Sequence, residues 1–357
     1  MKKYILFFAM ACLVAACSND IATSELTTQK ATLNLLLSAA PNVASRAINA
    51  QADGKIYDCT VITFDKNGNV SGKGYQTVEG GVDKFNMAVG LSTNKGEKCK
   101  VYAVANTNNP TLFDNVTSLT SFLDMFVTIA SPEALTAGNI NVCAGASSTA
   151  LTTQGQLMVS DSLPVTITDG VVPFRLTLYS QCAKVNFEIN AEMGDAINGF
   201  TVTGYRLFKV PLSGYLHQKY DASTVDIRFS APDGQYGNFP RVDLSGRPTN
   251  VQFTYYIQEN HQGRRSGATN SKTRIAANAP DNATYLEVYV QKNGRNGTYR
   301  YYLGNLLEDV NQSHYDYYNL LRGSDYYITI NINDIDENDG RFVWDYPPPP
   351  PPKEGRG

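Results

Sequence analysis

Residues 171–189, VVPFRLTLYSQCAKVNFEI, decide the fold that the sequence predicts. This stretch is long and strand-like, with a polar break at Ser180 and Gln181. A chain of 357 residues exceeds the usual size of a single core, so we place a domain boundary near this break.

Strand-like segments continue outward from this stretch in both directions. Residues 56–65 (IYDCTVITFD) run into Asn67 and Gly68, a pair that tolerates the positive φ of a hairpin turn. Residues 31–37 (ATLNLLL) carry leucine at alternate positions and predict a half-buried strand. The other predicted strands are 85–89, 98–105, 156–159 and 163–167 upstream, and 200–210, 225–229, 251–258, 285–291, 299–303 and 326–332 downstream. Short strands separated by Gly, Asn, Asp or Pro clusters indicate β-sandwiches.

One segment has a clear helical period. In residues 117–128, Leu119, Phe122, Leu123 and Phe126 fall on one face, which predicts a helix. Residues 310–322 are predicted as a loop or a short helix before the last strand. The sequence therefore predicts an all-β protein with a short helix in its first domain.

The N-terminus predicts export as a lipoprotein. Lys2 and Lys3 precede an apolar run over 4–14, which is too short for a membrane-spanning helix of roughly 20 residues. Small residues then lead to Cys17, as a lipoprotein signal peptidase requires. We predict a signal peptide over 1–16 and acyl chains on Cys17 that attach the chain to the outer membrane. The alternative is an ordinary secretory signal followed by a chance cysteine.

Composition argues against several classes of function. The formal net charge is −3, and it becomes −5 when the two lysines of the signal are subtracted. With no basic excess to neutralise phosphates, nucleic-acid binding is disfavoured. The three histidines (217, 261 and 314) form no metalloprotease motif, and neither a GxSxG elbow nor a phosphate-binding loop occurs. We therefore expect no enzyme activity and no cofactor.

Cysteine spacing leaves a disulfide question open. Cys12 leaves with the signal peptide, and the remaining candidates are Cys59, Cys99, Cys143 and Cys182. They include no CxxC pair, so a zinc site is improbable. An oxidising periplasm permits disulfides, with three possible pairings. The alternative is that most are small buried side chains.

An acidic run near the C-terminus weakly resembles a calcium loop. Asp334, Asp336 and Asn338 alternate like ligands. However, Gly340 falls one place late and the twelfth position lacks a glutamate, so a solvated turn at a strand end is favoured.

Two further clusters have binding and structural interpretations. Tyr315, Tyr317, Tyr318, Tyr326 and Tyr327 are candidates for a carbohydrate-stacking face, but sandwich-core tyrosines are the favoured interpretation. The loop arginines at 264 and 265 are more often merely solvated than bound to an acidic partner.

The ordered set of motifs resembles the fimbrillin superfamily of Bacteroidetes, the subunits of type V pili. The features that carry the resemblance are the lipobox at Cys17, the strand at 31–37, SRA at 45–47, IYDCTVITFDKNG at 56–68, VYAVAN at 101–106, AKV at 183–185, VP at 210–211, YIQENHQG at 256–263 and the final segment 326–341, which ends in DGR.

The resemblance implies two transthyretin-like Greek-key β-sandwich domains and assembly by strand exchange. Its expected divisions are the signal peptide (1–16), a lipidated tether with the first strand (17–46), an N-terminal sandwich (47–181), a C-terminal sandwich (182–345) and a proline-rich tail (346–357). It further implies cleavage between Arg46 and Ala47, which would remove the first strand so that a strand of another pilus subunit fills the groove. The alternative is an uncleaved surface arginine.

The tail departs from the family pattern. Six prolines at 347–352 supply no ladder N–H and make a poor donor strand. We therefore expect a tip or accessory fimbrial subunit at the cell surface, with a host or bacterial receptor as a possible partner. The alternatives are a membrane-retained fimbrial anchor and a glycan-binding surface lipoprotein; an enzyme is the weakest.

Overall fold

The structure, a computed structural model, describes residues 31–40, 43–44, 54–92, 96–128, 155–168, 171–191, 199–217, 231–232, 234–246, 248–304, 308–309, 312–313 and 315–345. Strands dominate these residues, so the predicted all-β class is confirmed. Within them, no helix is long and apolar enough to cross a membrane.

Strands β1 to β10 and one helix occupy the first half of the chain. They are β1 (Thr32–Ala39), β2 (Val43–Ala44), β3 (Ile56–Phe64), β4 (Val70–Val82), β5 (Lys84–Gly90), β6 (Lys98–Ala105), α1 (Leu119–Leu123), β7 (Phe126–Thr128), β8 (Met158–Ser160), β9 (Leu163–Thr166) and β10 (Val171–Ser180).

Strands β11 to β23 follow. They are β11 (Cys182–Asn190), β12 (Phe200–Phe208), β13 (Val210–Pro211), β14 (Ser213–Tyr215), β15 (Tyr236–Gly237), β16 (Val242–Asp243), β17 (Asn250–Gln258), β18 (Tyr285–Lys292), β19 (Arg295–Tyr302), β20 (Glu308–Asp309), β21 (Gln312–Ser313), β22 (Ser324–Asn331) and β23 (Phe342–Trp344). Two 3-10 turns lie at Ser271–Thr273 and Ala276–Asn278.

An eight-stranded sheet, here the N-terminal sheet, has the order β4-β3-β6-β8-β10-β1-β5, with β9 paired to β6. Its first hairpin confirms the predicted turn, because Gly68 has a φ of +82° and its N–H donates to the Asp65 carbonyl. Leucines of β1 share one core with Val61 of β3 and Val101 of β6. Distant strands of this sheet therefore bury their apolar faces against each other.

Two further sheets are built mainly from the second half of the chain. The β22 sheet has the order β17-β11-β22-β2, and the β18 sheet has the order β16-β12-β18-β19-β23. Val185 and Phe187 of the β22 sheet share a core with Val202 and Val288 of the β18 sheet. This is the sheet-on-sheet packing of a sandwich.

The predicted helix at 117–128 is wrong in its extent. α1 ends at Leu123, and Phe126 begins β7, where it pairs with Tyr215 of β14 and is 46% exposed. Pairing with a distant strand replaced the last helical turn. The predicted strand at 225–229 lies outside the described residues, and the described parts of 310–322 contain β21 and turns but no helix.

Candidate functional site

β1 lies inside the N-terminal sheet, between β10 and β5. It pairs in parallel with β10, from Thr32–Val171 to Ala39–Leu178, and in antiparallel with β5. Both backbone edges of β1 are therefore paired, so its loss would expose two strand edges at once.

The side chains of β1 alternate between core and surface. Leu33, Leu35 and Leu37 are at most 1% exposed, whereas Asn34 is exposed. Burial of one leucine side chain contributes about 1.5–3 kcal/mol, so the three together make a substantial share of the stability of this sheet. Removal of β1 would leave an apolar groove between β10 and β5.

After β1 in the N-terminal sheet, the next strand, β2, belongs to the β22 sheet. β2 pairs in parallel with the start of β22, through Val43–Ser324 and Ala44–Asp325. We call residues 31–44 the N-terminal segment. This one segment supplies a central strand to the N-terminal sheet and an edge strand to the β22 sheet.

Among the described residues, β22 has an open edge beyond β2. β11 pairs with its other side from Asp325 to Asn331, but on the β2 side no described residue pairs beyond Asp325. The side chains of Tyr326 and Ile328 are half-buried and pack against the core beneath this edge. An open edge with partly covered apolar residues is suited to receive a further strand.

Several predicted site residues lie outside the described residues. Cys17, Arg46, Ala47 and Cys143 belong to this group. Their chemistry therefore rests on the sequence, although Arg46 follows the last residue of β2 by only two positions.

The structure corrects two of the disulfide candidates. Cys59 and Cys99 are free, buried thiols. Cys59 pairs across the sheet with Ala105, and Cys99 precedes Ala105 on the same strand by six positions. At roughly 3.4 Å per residue the two cysteines are about 20 Å apart, far beyond disulfide reach. The remaining described candidate, Cys182, is also buried in the core.

The weak calcium candidates lie between β22 and β23, where two of them pair with lysines. The Asp334 carboxylate lies 2.7 Å from the Lys292 amine, and this hydrogen bond lowers the pKa of Asp334. Asp336 pairs with Lys272 at 3.2 Å and accepts the backbone N–H of Asn338. Within the described residues, no group of three or more His, Cys, Asp or Glu side chains is placed to hold a metal. The geometry matches a solvated turn at a strand end.

The C-terminal tyrosines, the alternative candidates for a carbohydrate-stacking face, are buried or half-buried. Tyr318 is 1% exposed and donates its hydroxyl to the Asn278 carbonyl, while the Tyr326 hydroxyl accepts the Leu321 N–H. Tyr315, Tyr317 and Tyr327 are half-buried. The Arg264 guanidinium lies over the Tyr317 ring and Arg265 donates to the Ala279 carbonyl, so both loop arginines have partners inside the protein.

A row of three half-buried aromatic rings, here the aromatic row, crosses the β18 sheet, and Tyr302 at one end packs against the buried Tyr318. Phe208, Tyr285 and Tyr302 stand side by side on three neighbouring strands, with adjacent ring centroids 5.0 Å apart. In the next row, Glu287 pairs with Arg300 at 2.8 Å. The outward positions of the β22 sheet carry mainly Asn, Thr, Glu and Lys instead. The sequence did not indicate the aromatic row, because its members come from strands far apart in the chain.

A buried ionic cluster was also missed. Arg322 contacts the Glu259 carboxylate, whose other oxygen lies 3.0 Å from His261 Nε2. Burial alone would raise the pKa of Glu259, but Arg322 and His261 lower it to about 2. Glu259 belongs to the 256–263 segment that contributes to the family resemblance, but no local spacing in the sequence indicates Arg322 as its partner.

Comparison with known proteins places these features in context. Residues 31–164 match the family model described as major fimbrial subunit protein (FimA), and residues 255–330 match a domain of unknown function (DUF4906). The curated proteins contain no match.

Solved structures of fimbrial and cell adhesion proteins share the fold over most of their length. A proposed cell adhesion protein from Parabacteroides distasonis has a TM-score of 0.61 at 13% identity, with 91% of this chain and 93% of that chain covered. The tip fimbrial protein Mfa3 from Porphyromonas gingivalis, with C-terminal truncation, gives 0.52 at 14% identity, covering 89% and 98%. A fimbrilin (FimA) from Porphyromonas gingivalis gives 0.53 at 15%, covering 87% and 92%. The resemblance to the fimbrillin superfamily is therefore confirmed, through the family match of residues 31–164 and through a fold shared with fimbrial proteins.

Proposed function

We propose that this protein is a fimbrial subunit that reaches the cell surface as a lipoprotein and assembles by accepting a strand of another subunit. The observation that carries the proposal is the position of β1. It is a central, fully paired strand with buried leucines, yet it lies at the N-terminal side of a candidate cleavage site at Arg46.

A cut after Arg46 would release the whole N-terminal segment. The groove between β10 and β5 and the edge of β22 would then open together, because β1 and β2 both precede the cut. The exposed apolar side chains would include Leu176 of β10 and Val89 of β5, both at most 2% exposed in the intact chain. A strand from a neighbouring subunit would cover them again.

The C-terminal end favours a tip or accessory position. β23 already pairs with β19, and Phe342 is only 8% exposed within the core. The strand before the six prolines, β23, is thus already paired within the β18 sheet. This supports a subunit that accepts a strand but is poorly equipped to donate one.

Analysis of the protein recovered from cells tests the proposal. The wild-type chain should begin at Ala47 when isolated from fimbriae, while Arg46→Ala should remain unpolymerised with a blocked, lipidated Cys17. Arg264→Ala, a change at an exposed loop arginine, should behave like the wild type. A wild-type surface protein that retains Cys17 would instead support the membrane-retained anchor or the permanently attached binding protein.

The aromatic row on the β18 sheet favours a second candidate function, recognition of a surface glycan. Tyrosine and arginine side chains are well suited to binding because they combine apolar area with hydrogen-bonding groups. Glycan-array binding by uncleaved, monomeric protein, abolished by Tyr285→Ala with Tyr302→Ala, would support it. Binding unchanged in that variant would reject the aromatic row as the site.

A further inference from the structure

Arg322 joins parts of the chain that are far apart in sequence. Its Nη1 donates to Gln181 Oε1 and, at 2.9 Å, to the Leu216 carbonyl; its Nη2 donates to Glu259 Oε1 and, at 2.8 Å, to the Tyr215 carbonyl. The Arg322 side chain is 10% exposed and that of Glu259 is 2% exposed.

Three of these partners lie where the first half of the chain contacts the second. Gln181 is the single residue between β10 and β11, and its N–H donates to the Leu157 carbonyl at 2.9 Å. Tyr215 pairs with Phe126 of β7, and the Leu216 N–H donates to the Met125 carbonyl at 3.0 Å. One guanidinium therefore contacts both Gln181, which links β10 to β11, and the β14 end that pairs with β7.

Arg322 also lies where the two proposed acceptor edges meet. The next residue, Gly323, donates its N–H to the Cys182 carbonyl, and Ser324 is the first residue of β22 to pair with β2. The same side chain contacts Gln181, which directly follows β10, and β10 pairs with β1 as far as Leu178. This one cluster therefore lies close to both edges.

We propose that Arg322 is a positioning residue that aligns the β10 edge with the β22 edge, so that one incoming strand segment pairs with both. This inference rests on the proposed strand-accepting function. It specifies the occupant as an extended peptide that continues, like residues 31–44, from one sheet to the other.

Peptide binding tests the alignment directly. The acceptor is the full chain cleaved after Arg46, from which mild denaturant has released the N-terminal fragment. The probes are fluorescent peptides of residues 31–39, which cover β1, and of residues 31–44, which add β2. For the wild type we expect the longer peptide to bind about tenfold more tightly, because two further residues pair with β22.

Glu259→Gln combined with Arg322→Met removes both charges together, so no uncompensated buried ion remains. We expect this variant to bind the shorter peptide like the wild type but to lose most of the tenfold gain. Glu287→Gln with Arg300→Met makes the same chemical change at an ion pair within the β18 sheet and should keep the full gain.

The outcomes separate the two proposals. If neither peptide binds the wild type, strand acceptance fails and the alignment inference fails with it. If the Glu259–Arg322 variant keeps the full gain, only the alignment inference is overturned. If that variant does not fold, Gln181→Leu removes a single contact of Arg322 and should reduce the gain; an unchanged gain would again overturn the inference.

Discussion

Truncation of Leu35 tests the central position of β1. Leu35 is 1% exposed and lies between Phe174 of β10 and Met87 of β5. Leu35→Ala removes apolar atoms and leaves a cavity, which costs about 2–5 kcal/mol at buried leucines. We expect the upper part of this range, because β1 is held by strands on both sides and has little freedom to collapse into the space.

The neighbouring leucine provides a matched control. Leu36 is half-buried and points to the opposite face of the sheet, beside Asn86 and Arg175. Leu36→Ala should therefore cost no more than about 1 kcal/mol, since surface substitutions have small effects. The comparison changes the same side chain at adjacent positions and so isolates the face of the strand.

Urea denaturation of the uncleaved chain, followed by far-UV circular dichroism, measures both free energies of unfolding. Amide hydrogen exchange in β10 gives a local measure of the same change. Equal destabilisation by the two variants, or a Leu35→Ala cost below about 1 kcal/mol, would show that β1 does not bury its alternate leucines in the sheet. The proposed acceptor groove would then have no basis.

Three further predictions concern other buried groups and the C-terminal turn. Burial and the nearby Arg322 lower the pKa of His217 to about 4, so the folded protein favours the neutral ring. The unfolded state binds the proton first, and stability should therefore fall as the pH drops from about 6.5 towards 4, by up to about 3 kcal/mol; His217→Phe should flatten this slope in thermal melts. Burial raises the pKa of Cys59 and raises that of Cys99 to about 11. Iodoacetamide should therefore label both thiols only when urea unfolds the protein, and no reductant should be needed. Labelling that required a reductant would contradict the free thiols. Millimolar calcium should leave the melting temperature unchanged because Asp334 and Asp336 pair with lysines, and a calcium-dependent rise lost in Asp334→Asn would refute the turn interpretation.

Local patterns predicted most of the strands. Alternating leucines identified β1, and the polar break at Gln181 separates β10 from β11 as expected. The Asn67–Gly68 pair likewise identified a hairpin, because the turn requires a positive φ at glycine. These features depend on neighbouring residues, so the sequence contains all the information that they need.

Long-range pairing explains what the sequence did not predict. Phe126 fits the helical spacing of apolar residues, but in the structure it belongs to β7 and pairs with Tyr215 of β14. Arg322 finds acceptors at positions 181, 215, 216 and 259, which no local spacing brings together. The face of β1 was predictable, whereas its neighbours in the sheet were not.

Chain order connects this fold with the proposed assembly. A central strand normally has connections at both ends, so its removal would require two cuts. β1 is the first strand described, and a single cut after Arg46 would free it together with β2. At the other end, β23 is paired within its own sheet and is followed by prolines. In the proposed assembly, one proteolytic event would thus open an accepting surface while the last described strand stays paired within its own sheet.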